Sequence, residues 1–273
     1  MLELLFPCVA LVLQSDLPLA HFPVTPPAPA EFASPCERQK HDGASLTVCS
    51  FDRDDPGLRL FLNDESGAPY GEFDAINSAL AEQDKTLIFA MNAGMYHEDR
   101  SPVGLYMENG EELAPLQTGE GYGNFHLLPN GVFVIWQEDG LKGTHVLETN
   151  AYQSRMAHDV VNYATQSGPM LVIDNELHPK FNPESTSFKR RNGVGIDEDF
   201  NRLYFVLSDG WVTFHAFASF FRDELGCENA LYLDGSISRL YDKANDRSDI
   251  GPAMGPVVGV VRPSSLSDSV DSD

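Results

Sequence analysis

Two apolar runs that each lead into Asp-Gly constrain the fold of this chain more than any other feature. The first run is Leu203 to Leu207, before Asp209-Gly210, and the second is Ala230 to Leu233, before Asp234-Gly235. Unbroken apolar runs of this length are typical of strands that are buried on both faces. We therefore predict two buried strands, each with an aspartate at its end.

The segment between these strands has the periodicity of a helix. Thr213 stands where a side chain would cap the first turn. The residues that recur at helical spacing are Phe214, Phe217, Ala218, Phe221 and Leu225. A strand-helix-strand crossover makes its two strands parallel, so Asp209 and Asp234 should lie at one edge of one sheet. If the strands are neighbours, about 4.8 Å apart, both carboxylates can face one pocket. The alternative is that Asp-Gly only makes turns.

The charge of the chain excludes some classes of partner. Its 273 residues, 42% of them hydrophobic, suffice for a sizeable core. The chain has 41 acidic and 18 basic residues, which gives a formal net charge of -23. A surface of this charge repels nucleic acid and anionic membranes. We therefore expect no nucleic-acid partner.

Both ends of the chain lack the pattern of a folded domain. Residues 1–20 contain a short apolar run that suits a secretion signal, although Glu3 stands where a basic residue is usual. Residues 21–35 are predicted to be a Pro-rich linker, and residues 263–273 a disordered acidic tail. We expect one domain at residues 36–262, a periplasmic or secreted location, and no membrane span after signal removal.

The cysteines agree with export. Cys36 and Cys49 flank a short segment at the start of the predicted domain, where a disulfide would tie down the fold. Cys227 follows Gly226 and precedes a strand, which favours a buried thiol over a nucleophile. No CxxC pair or Cys/His cluster suggests zinc.

The rest of the chain is rich in strands and turns. Asn109-Gly110 is the strongest short hairpin signal. A second hairpin is predicted to join residues 124–128 and 132–136, with His126 on its first strand and pointing either into a cleft or to water. We therefore expect an α+β fold: a single strand-rich domain with a mixed sheet, hairpins, a few helices and the one crossover.

Six short motifs occur in an order that is similar to that of a known family. They are Asn92-Ala93-Gly94-Met95-Tyr96, Pro102-Val103-Gly104-Leu105, Gln166-Ser167-Gly168-Pro169-Met170-Leu171, Arg191-Asn192-Gly193-Val194-Gly195, Asp209-Gly210 and Asn229-Ala230-Leu231-Tyr232-Leu233-Asp234-Gly235. Together they resemble the phosphodiester glycosidase family over roughly residues 85 to 260. The family commonly has Gly-Ser after the last Asp-Gly, whereas this chain continues with Ser236-Ile237-Ser238, as in a bacterial exported subgroup.

The resemblance implies a hydrolase that cleaves the sugar side of a sugar 1-phosphodiester. Such a reaction passes through an oxocarbenium-like transition state, which needs carboxylates, and Asp234 and Asp209 are the candidates. The phosphate is already a good leaving group, so holding its negative charge matters more than protonating it. Arg191 matches the arginine of the family motif and suits this task, with Arg190 or Arg239 assisting.

The same resemblance suggests which residues contact the sugar. Asn92, Gln166 and Ser167 offer neutral donors and acceptors, and Tyr96 is expected to stack on the ring. The remaining predicted contacts are glycines that keep the walls low and polar residues close to the motifs: Gly94, Gly168, Gly210, Gly235, Ser236, Ser238 and His126. For each polar residue, a turn or a cap is the alternative explanation.

Two other functions fit the sequence. One is a surface or binding protein that holds a polysaccharide without cutting it. The other is a metal-dependent phosphodiesterase, since aspartates at strand ends suit magnesium or calcium. We expect no cofactor, with a divalent cation as the exception that would favour this last function.

Overall fold

The computed structural model describes residues 33–156, 160–235 and 237–264. The predicted signal segment, most of the linker, nearly all of the acidic tail and Ser236 lie outside the described residues. No helix in the described part of the chain is both long and apolar enough to cross a membrane.

The described residues form three sheets, whose strands we number in chain order. In spatial order the largest sheet contains β1 (Cys36–His41), β2 (Ala44–Asp52), β13 (Arg202–Ser208), β12 (Asn192–Asp197), β14 (Asn229–Asp234), β10 (Met170–Ile173) and β11 (Glu176–Leu177). The second contains β16 (Arg247–Ser248), β15 (Leu240–Asp242), β4 (Lys85–Asn92), β17 (Val257–Pro263) and β3 (Leu58–Phe61). The third contains β6 (Glu111–Ala114), β5 (Tyr106–Glu108), β9 (Val161–Ser167), β7 (Gly131–Glu138) and β8 (Leu141–Glu148).

Three short helices cover the sheets. They are α1 (Phe73–Ala81), α2 (Thr149–Arg155) and α3 (Phe214–Ser219), which a π-helical turn continues over Phe220–Glu224. The Thr213 hydroxyl accepts a hydrogen bond from the backbone N–H of Ala216, which confirms the predicted cap. Each helix packs its buried side chains against a different sheet: α1 on the second, α2 on the third and α3 on the first.

The inner faces of all three sheets meet in one central core. Phe205 of β13 lies 5.1 Å from Phe89 of β4 and 5.8 Å from Phe133 of β7, measured between ring centroids. Its neighbour Val206 points to the other face, toward α3, as the two-residue period of a strand requires. Because Phe205 joins three sheets, its truncation to alanine should cost about 3–5 kcal/mol of stability.

Close packing of α3 explains the glycines of β12. A Cβ atom on Gly195 would lie 2.5 Å from the Phe221 ring and 2.8 Å from the Cys227 sulfur. No other residue fits there without displacing the helix. The thiol of Cys227 is buried in this contact, and burial raises its pKa, as expected for an unreactive cysteine.

The α+β fold and the crossover are confirmed, but the expected pairing is wrong. Strands β13 and β14 are parallel to each other, yet β12 lies between them and pairs antiparallel with both. Every described pair of neighbouring strands is antiparallel, so the sheets are not mixed. The sequence of a crossover specifies parallel strands but not whether another strand separates them, and here β12, which precedes both strands in the chain, lies between them.

Of the two predicted hairpins, one is confirmed. Strands β5 and β6 join at Asn109 and Gly110, which both have positive φ angles (54° and 83°). Residues 124–126 instead form a 3₁₀ turn, and β7 pairs with β8. The Asn130 side chain bonds to the Phe125 carbonyl and accepts from Thr149, which ties this segment to α2.

The disulfide between Cys36 and Cys49 is confirmed. The two cysteines are directly opposite each other in the pairing of β1 and β2. The bond therefore joins the edge strand β1 to β2 within the first hairpin of the described chain.

Candidate active site

A cavity of about 650 Å³ opens at the end of β14, and we call it the Asp234 pocket. It contains the carboxylate that sequence motifs point to, together with two histidines, an arginine and several aromatic rings. Its lining residues are Met95, Tyr96, His97, Glu98, Arg100, Val103, Tyr122, Gly123, Asn124, Phe125, His126, Asp234, Ile237 and Pro252. Sites of this size commonly take small ligands.

Hydrogen bonds between two sheets fix the backbone of Asp234. Its N–H donates to the Asn192 side-chain oxygen at 2.8 Å. The Asn192 amide in turn donates to the Asn92 side-chain oxygen, which also accepts from the backbone N–H of Arg239. Asn92 and Asn192 are fully buried, so this network is shielded from competing water. Asn92 thus reaches Asp234 through Asn192.

His126 lies at the wall of the pocket under a glycine-rich loop. Its Nδ1 is 3.2 Å from the Gly119 carbonyl oxygen, which can only accept, so Nδ1 carries the proton in this contact. The Nε2 atom of the neutral ring is then an acceptor. Gly121 packs so closely that a Cβ atom there would lie 2.5 Å from the imidazole. The loop therefore sets both the tautomer and the orientation of His126.

Tyr96 also lines the Asp234 pocket. Its hydroxyl donates to the Ala253 carbonyl, and the Arg100 guanidinium lies 5.3 Å from the centre of its ring. Burial and, secondarily, the charge of Asp234 raise the pKa of Tyr96, so the phenol stays neutral. Gly255 packs against the other side of the ring. Tyr96, which the sequence predicts to contact the sugar, thus lines the same pocket as Asp234.

Arg191 lies behind the pocket rather than in it. Its side chain is fully buried, its guanidinium lies 3.5 Å from the centre of the Phe214 ring, and it donates to the carbonyl oxygens of Val212 and Ser187. It also bonds to the Tyr232 hydroxyl. Direct contact of Arg191 with a phosphate in this pocket, which the sequence predicts, is not what the structure shows.

Tyr232 connects Arg191 to the pocket. Burial raises its pKa, against the opposing charge of Arg191, and its hydroxyl also bonds to Asn124 on the pocket wall. A Cβ atom on Gly235 would overlap the Tyr232 hydroxyl. Arg191 and Gly235 therefore support the pocket from behind through Tyr232.

Asp209 is placed in different cavities from Asp234. Its carboxylate accepts from the Thr47 hydroxyl at 2.9 Å and lies 3.4 Å from the Arg247 guanidinium. Gly210 lines a hollow beside it. The prediction that Asp209 and Asp234 face one pocket is wrong, because β12 separates their strands.

Gln166 and Ser167 make hydrogen bonds within the fold. The Gln166 oxygen accepts from the N–H groups of Leu105 and Gln117, and its amide donates to the Gln117 carbonyl and the Thr149 hydroxyl. The Ser167 hydroxyl donates to the Leu233 carbonyl. Both side chains are buried outside the lining of the Asp234 pocket. Their predicted sugar contacts therefore lack a direct path to it.

The glycines near this motif allow close backbone approach. A Cβ atom on Gly168 would lie 2.7 Å from the Phe125 carbonyl oxygen, and one on Gly94 would lie 2.7 Å from the Thr165 hydroxyl. They hold neighbouring segments against the pocket wall rather than lowering it.

The other predicted arginines are also engaged elsewhere. Arg239 binds Glu72 at 2.6 Å and the carbonyl oxygens of Asp249 and Pro252, so its guanidinium is used within the fold. Arg190 donates to the Ser208 carbonyl. The Ser238 hydroxyl donates to the Asp234 carbonyl at 3.5 Å and so belongs to the support of the site.

Several residues that line the Asp234 pocket are not among the predicted site residues. His97, Glu98 and Arg100 directly follow the motif that contains Tyr96, and that position is the signal that could have found them. Among the described lining residues, Arg100 is the one arginine or lysine. Asn124 belongs to the 3₁₀ turn at residues 124–126, where a strand was predicted, and Tyr122 belongs to the loop before that turn.

Metal binding has no preformed cluster in the described part of the chain. Residues 33–156, 160–235 and 237–264 contain no group of three or more His, Cys, Asp or Glu side chains arranged to hold an ion. The predicted option of a divalent cation stays a prediction.

The fold and the pocket together define a strand-rich α+β domain with a carboxylate at the end of β14, in a cavity lined by charged and aromatic side chains. The family model described as phosphodiester glycosidase matches residues 85–260. The chain therefore belongs to the phosphodiester glycosidase family. At the level of the family, it is a hydrolase of the glycosidase type.

Individual relatives agree with this assignment. The uncharacterized protein YigE of Escherichia coli is 33% identical over 186 residues, which cover 68% of this chain and 70% of YigE. The catalytic domain of zebrafish N-acetylglucosamine-1-phosphodiester alpha-N-acetylglucosaminidase, auto-inhibited by its pro-peptide, superimposes with a TM-score of 0.57 at 14% identity, covering 82% and 81% of the two chains. A Burkholderia pseudomallei protein described as exported gives 0.52 at 10% identity, covering 80% and 74%. The two structural matches concern the fold alone.

Proposed function

We propose that this protein is an exported hydrolase that cleaves the sugar side of a sugar 1-phosphodiester in the Asp234 pocket. Membership in the phosphodiester glycosidase family supports the reaction class. The observation that carries the proposal is the placement of Asp234, with its backbone held by buried asparagines, in a cavity that also contains Arg100, His97 and His126.

The proposed reaction breaks the bond between the anomeric carbon and the phosphate oxygen. Water adds its oxygen to the anomeric carbon and loses one proton, and the phosphate monoester leaves with the bonding electron pair and can take up that proton or leave it to solvent. Positive charge develops on the sugar ring in the transition state, and a carboxylate stabilises it. We assign that role to Asp234. The second carboxylate is proposed to be Glu98, which lines the same pocket and replaces Asp209 in this role.

The phosphate group is proposed to lie toward Arg100. A guanidinium can hold two phosphate oxygens at once, and His97 and His126 add donors or acceptors according to their protonation. The net charge of -23 does not prevent this. Exposed charges are screened over about 8–10 Å at ordinary ionic strength, so groups within the pocket dominate.

Export is part of the proposal because the chain forms a disulfide. Disulfides persist mainly in oxidising compartments.

Product analysis in heavy-oxygen water tests the bond that breaks. Incubation with a panel of sugar 1-phosphodiesters should give a phosphate monoester without label, because the water oxygen goes to the sugar. The monoester is the better product to measure, since its oxygens do not exchange with water as an anomeric hydroxyl does. Label in the phosphate would instead indicate attack at phosphorus and overturn the proposal.

Two arginine variants distinguish an arginine that contacts the substrate from an arginine that only stabilises the fold around the pocket. Arg100→Gln should raise KM for the phosphodiester about tenfold or more while the protein stays as stable as the wild type, because a charge-assisted contact is lost at a partly exposed residue. Arg191→Gln should instead lower stability, because its guanidinium is buried and bonded. If Arg100→Gln leaves KM unchanged, the phosphate does not lie there.

A further inference from the structure

A large aromatic side chain is exposed close to Asp209, the second aspartate at this edge of the largest sheet. Trp211 follows Asp209-Gly210 and keeps 72% of its surface accessible. It borders a hollow of about 500 Å³, which we call the Trp211 hollow, lined by residues 42–45 and 209–211. Ligand sites are commonly lined by aromatic side chains that have an apolar face and a polar edge, so an exposed indole beside a hollow is a candidate binding surface.

The walls of the Trp211 hollow are held firmly. One wall is the turn between β1 and β2, where Asp42 and Gly43 adopt φ angles of 47° and 77° in a two-residue hairpin loop. The Cys36–Cys49 disulfide joins the same two strands. Val212, next to the tryptophan, exchanges backbone hydrogen bonds with Lys189. The surface around the indole is therefore preorganised, which lowers the cost of binding.

The chemistry of the hollow combines one apolar face with several hydrogen-bonding groups. Asp42, Ser45 and Asp209 line it beside the indole. The Asp42 carboxylate is 71% exposed, and the Asp209 carboxylate is 23% exposed. A sugar ring matches this combination, since its C–H face packs on an aromatic ring while its hydroxyls donate to carboxylates. The exposed Asp42 carboxylate disfavours a polyanion, and a purely apolar partner would desolvate it.

We propose that the Trp211 hollow binds a neutral carbohydrate as a second site, separate from the Asp234 pocket. The two cavities share no lining residue. Both lie at the ends of parallel strands of one sheet, with β12 between those strands, which corresponds to a separation of about 10 Å at the sheet edge. The choice of a carbohydrate rests in part on the proposed function, because a hydrolase of sugar phosphodiesters meets glycans.

Calorimetric titration of the whole protein with chitotriose, cellotriose and maltotriose tests the site. At least one of these neutral trisaccharides should bind saturably at millimolar concentrations. Trp211→Ala should weaken that binding about tenfold or more, since stacking on the indole is lost. Phe200→Ala is the matched control, because Phe200 is 78% exposed and borders neither cavity. It should bind like the wild type.

Fluorescence gives a second reading of the same event. The chain has two tryptophans, and Trp136 is only partly exposed and stacked 6.1 Å from His145. In a Trp136→Phe background, Trp211 is the reporter, and its emission should change on binding. No saturable binding of any trisaccharide, or equal binding by Trp211→Ala, would overturn the inference.

The inactive variant Asp234→Asn separates this inference from the proposed function. The second site predicts that Asp234→Asn binds the trisaccharide as tightly as the wild type. Loss of trisaccharide binding in Asp234→Asn together with intact binding in Trp211→Ala would place the ligand in the Asp234 pocket and overturn the second site. Intact binding in a protein that hydrolyses no sugar phosphodiester would remove the proposed function alone.

Discussion

The ends of β13 and β14 have nearly the same sequence pattern but different surroundings. Asp234 follows its strand into a pocket with two histidines and an arginine, and a buried asparagine fixes its backbone. Asp209 instead has its carboxylate bound by a threonine hydroxyl and close to Arg247. The comparison teaches that an aspartate at a strand end acquires its role from residues that are distant in sequence.

The largest expected difference between the two aspartates is in activity. Asp234→Asn should lower kcat for a sugar 1-phosphodiester by about 1,000-fold, because the carboxylate that stabilises the oxocarbenium ion is lost. Asp209→Asn should change kcat less than about threefold, since its strand end lies outside the pocket. Steady-state kinetics with both variants checks this. Equal losses in the two variants would show that Asp209 takes part in the reaction.

At the Asp209 end of the sheet, removal of the Cys36–Cys49 disulfide should lower the stability of the protein and leave its kcat unchanged. The bond closes a loop with a sequence separation of 13, and the double variant Cys36→Ser/Cys49→Ser should lose about 3 kcal/mol of unfolding free energy. Urea unfolding with and without reductant measures the loss. At a temperature where the variant is still folded, kcat should be unchanged, and a lower kcat would connect the hairpin to the active site.

Two polar substitutions, one beside each aspartate, test whether only the surroundings of Asp234 affect catalysis. Asn192→Ala removes the acceptor for the Asp234 N–H, and it should cost about 1–3 kcal/mol of stability and lower kcat about tenfold. Thr47→Val removes the hydroxyl that donates to Asp209, with a similar cost in stability but no change in kcat. Denaturation and kinetics of both variants are the measurements. A decrease in kcat for Thr47→Val of the same size would contradict the assignment of Asn192 as a positioning residue.

The smallest expected effect is a pH dependence of protein stability that arises from His178. Burial lowers the pKa of His178, and its Nδ1 accepts from the N–H of Lys180, which requires a neutral ring. The unfolded chain therefore binds more protons than the folded chain. The contribution of the neutral His178 to the free energy of unfolding should be complete above about pH 6.5 and decrease as the pH falls below that value. Urea midpoints across this range should decrease less in His178→Gln. His178 stacks on Phe181, which stacks on Phe214 beside Arg191, so acid should loosen the support of the pocket.

Much of the local structure could be predicted from the sequence. The apolar runs predict β13 and β14, the spacing of phenylalanines predicts α3, and Asn109-Gly110 predicts a hairpin, because each depends on neighbours in the chain. The motif at Asn92 to Tyr96 led to a segment that borders the pocket. The segment at 124–128 could not be recognised, since its conformation depends on contacts of Asn130 with Thr149.

The sequence by itself determined the family, the α+β class, the crossover and the short cysteine pairing. Only the tertiary structure decided that Asp234 and not Asp209 enters the pocket, that Arg191 is buried against Phe214, and that Arg100 and His126 face the cavity. The physical reason is the insertion of β12 between β13 and β14 and the meeting of the inner faces of three sheets in one core. Both depend on contacts between separate segments of the chain, which local patterns do not encode.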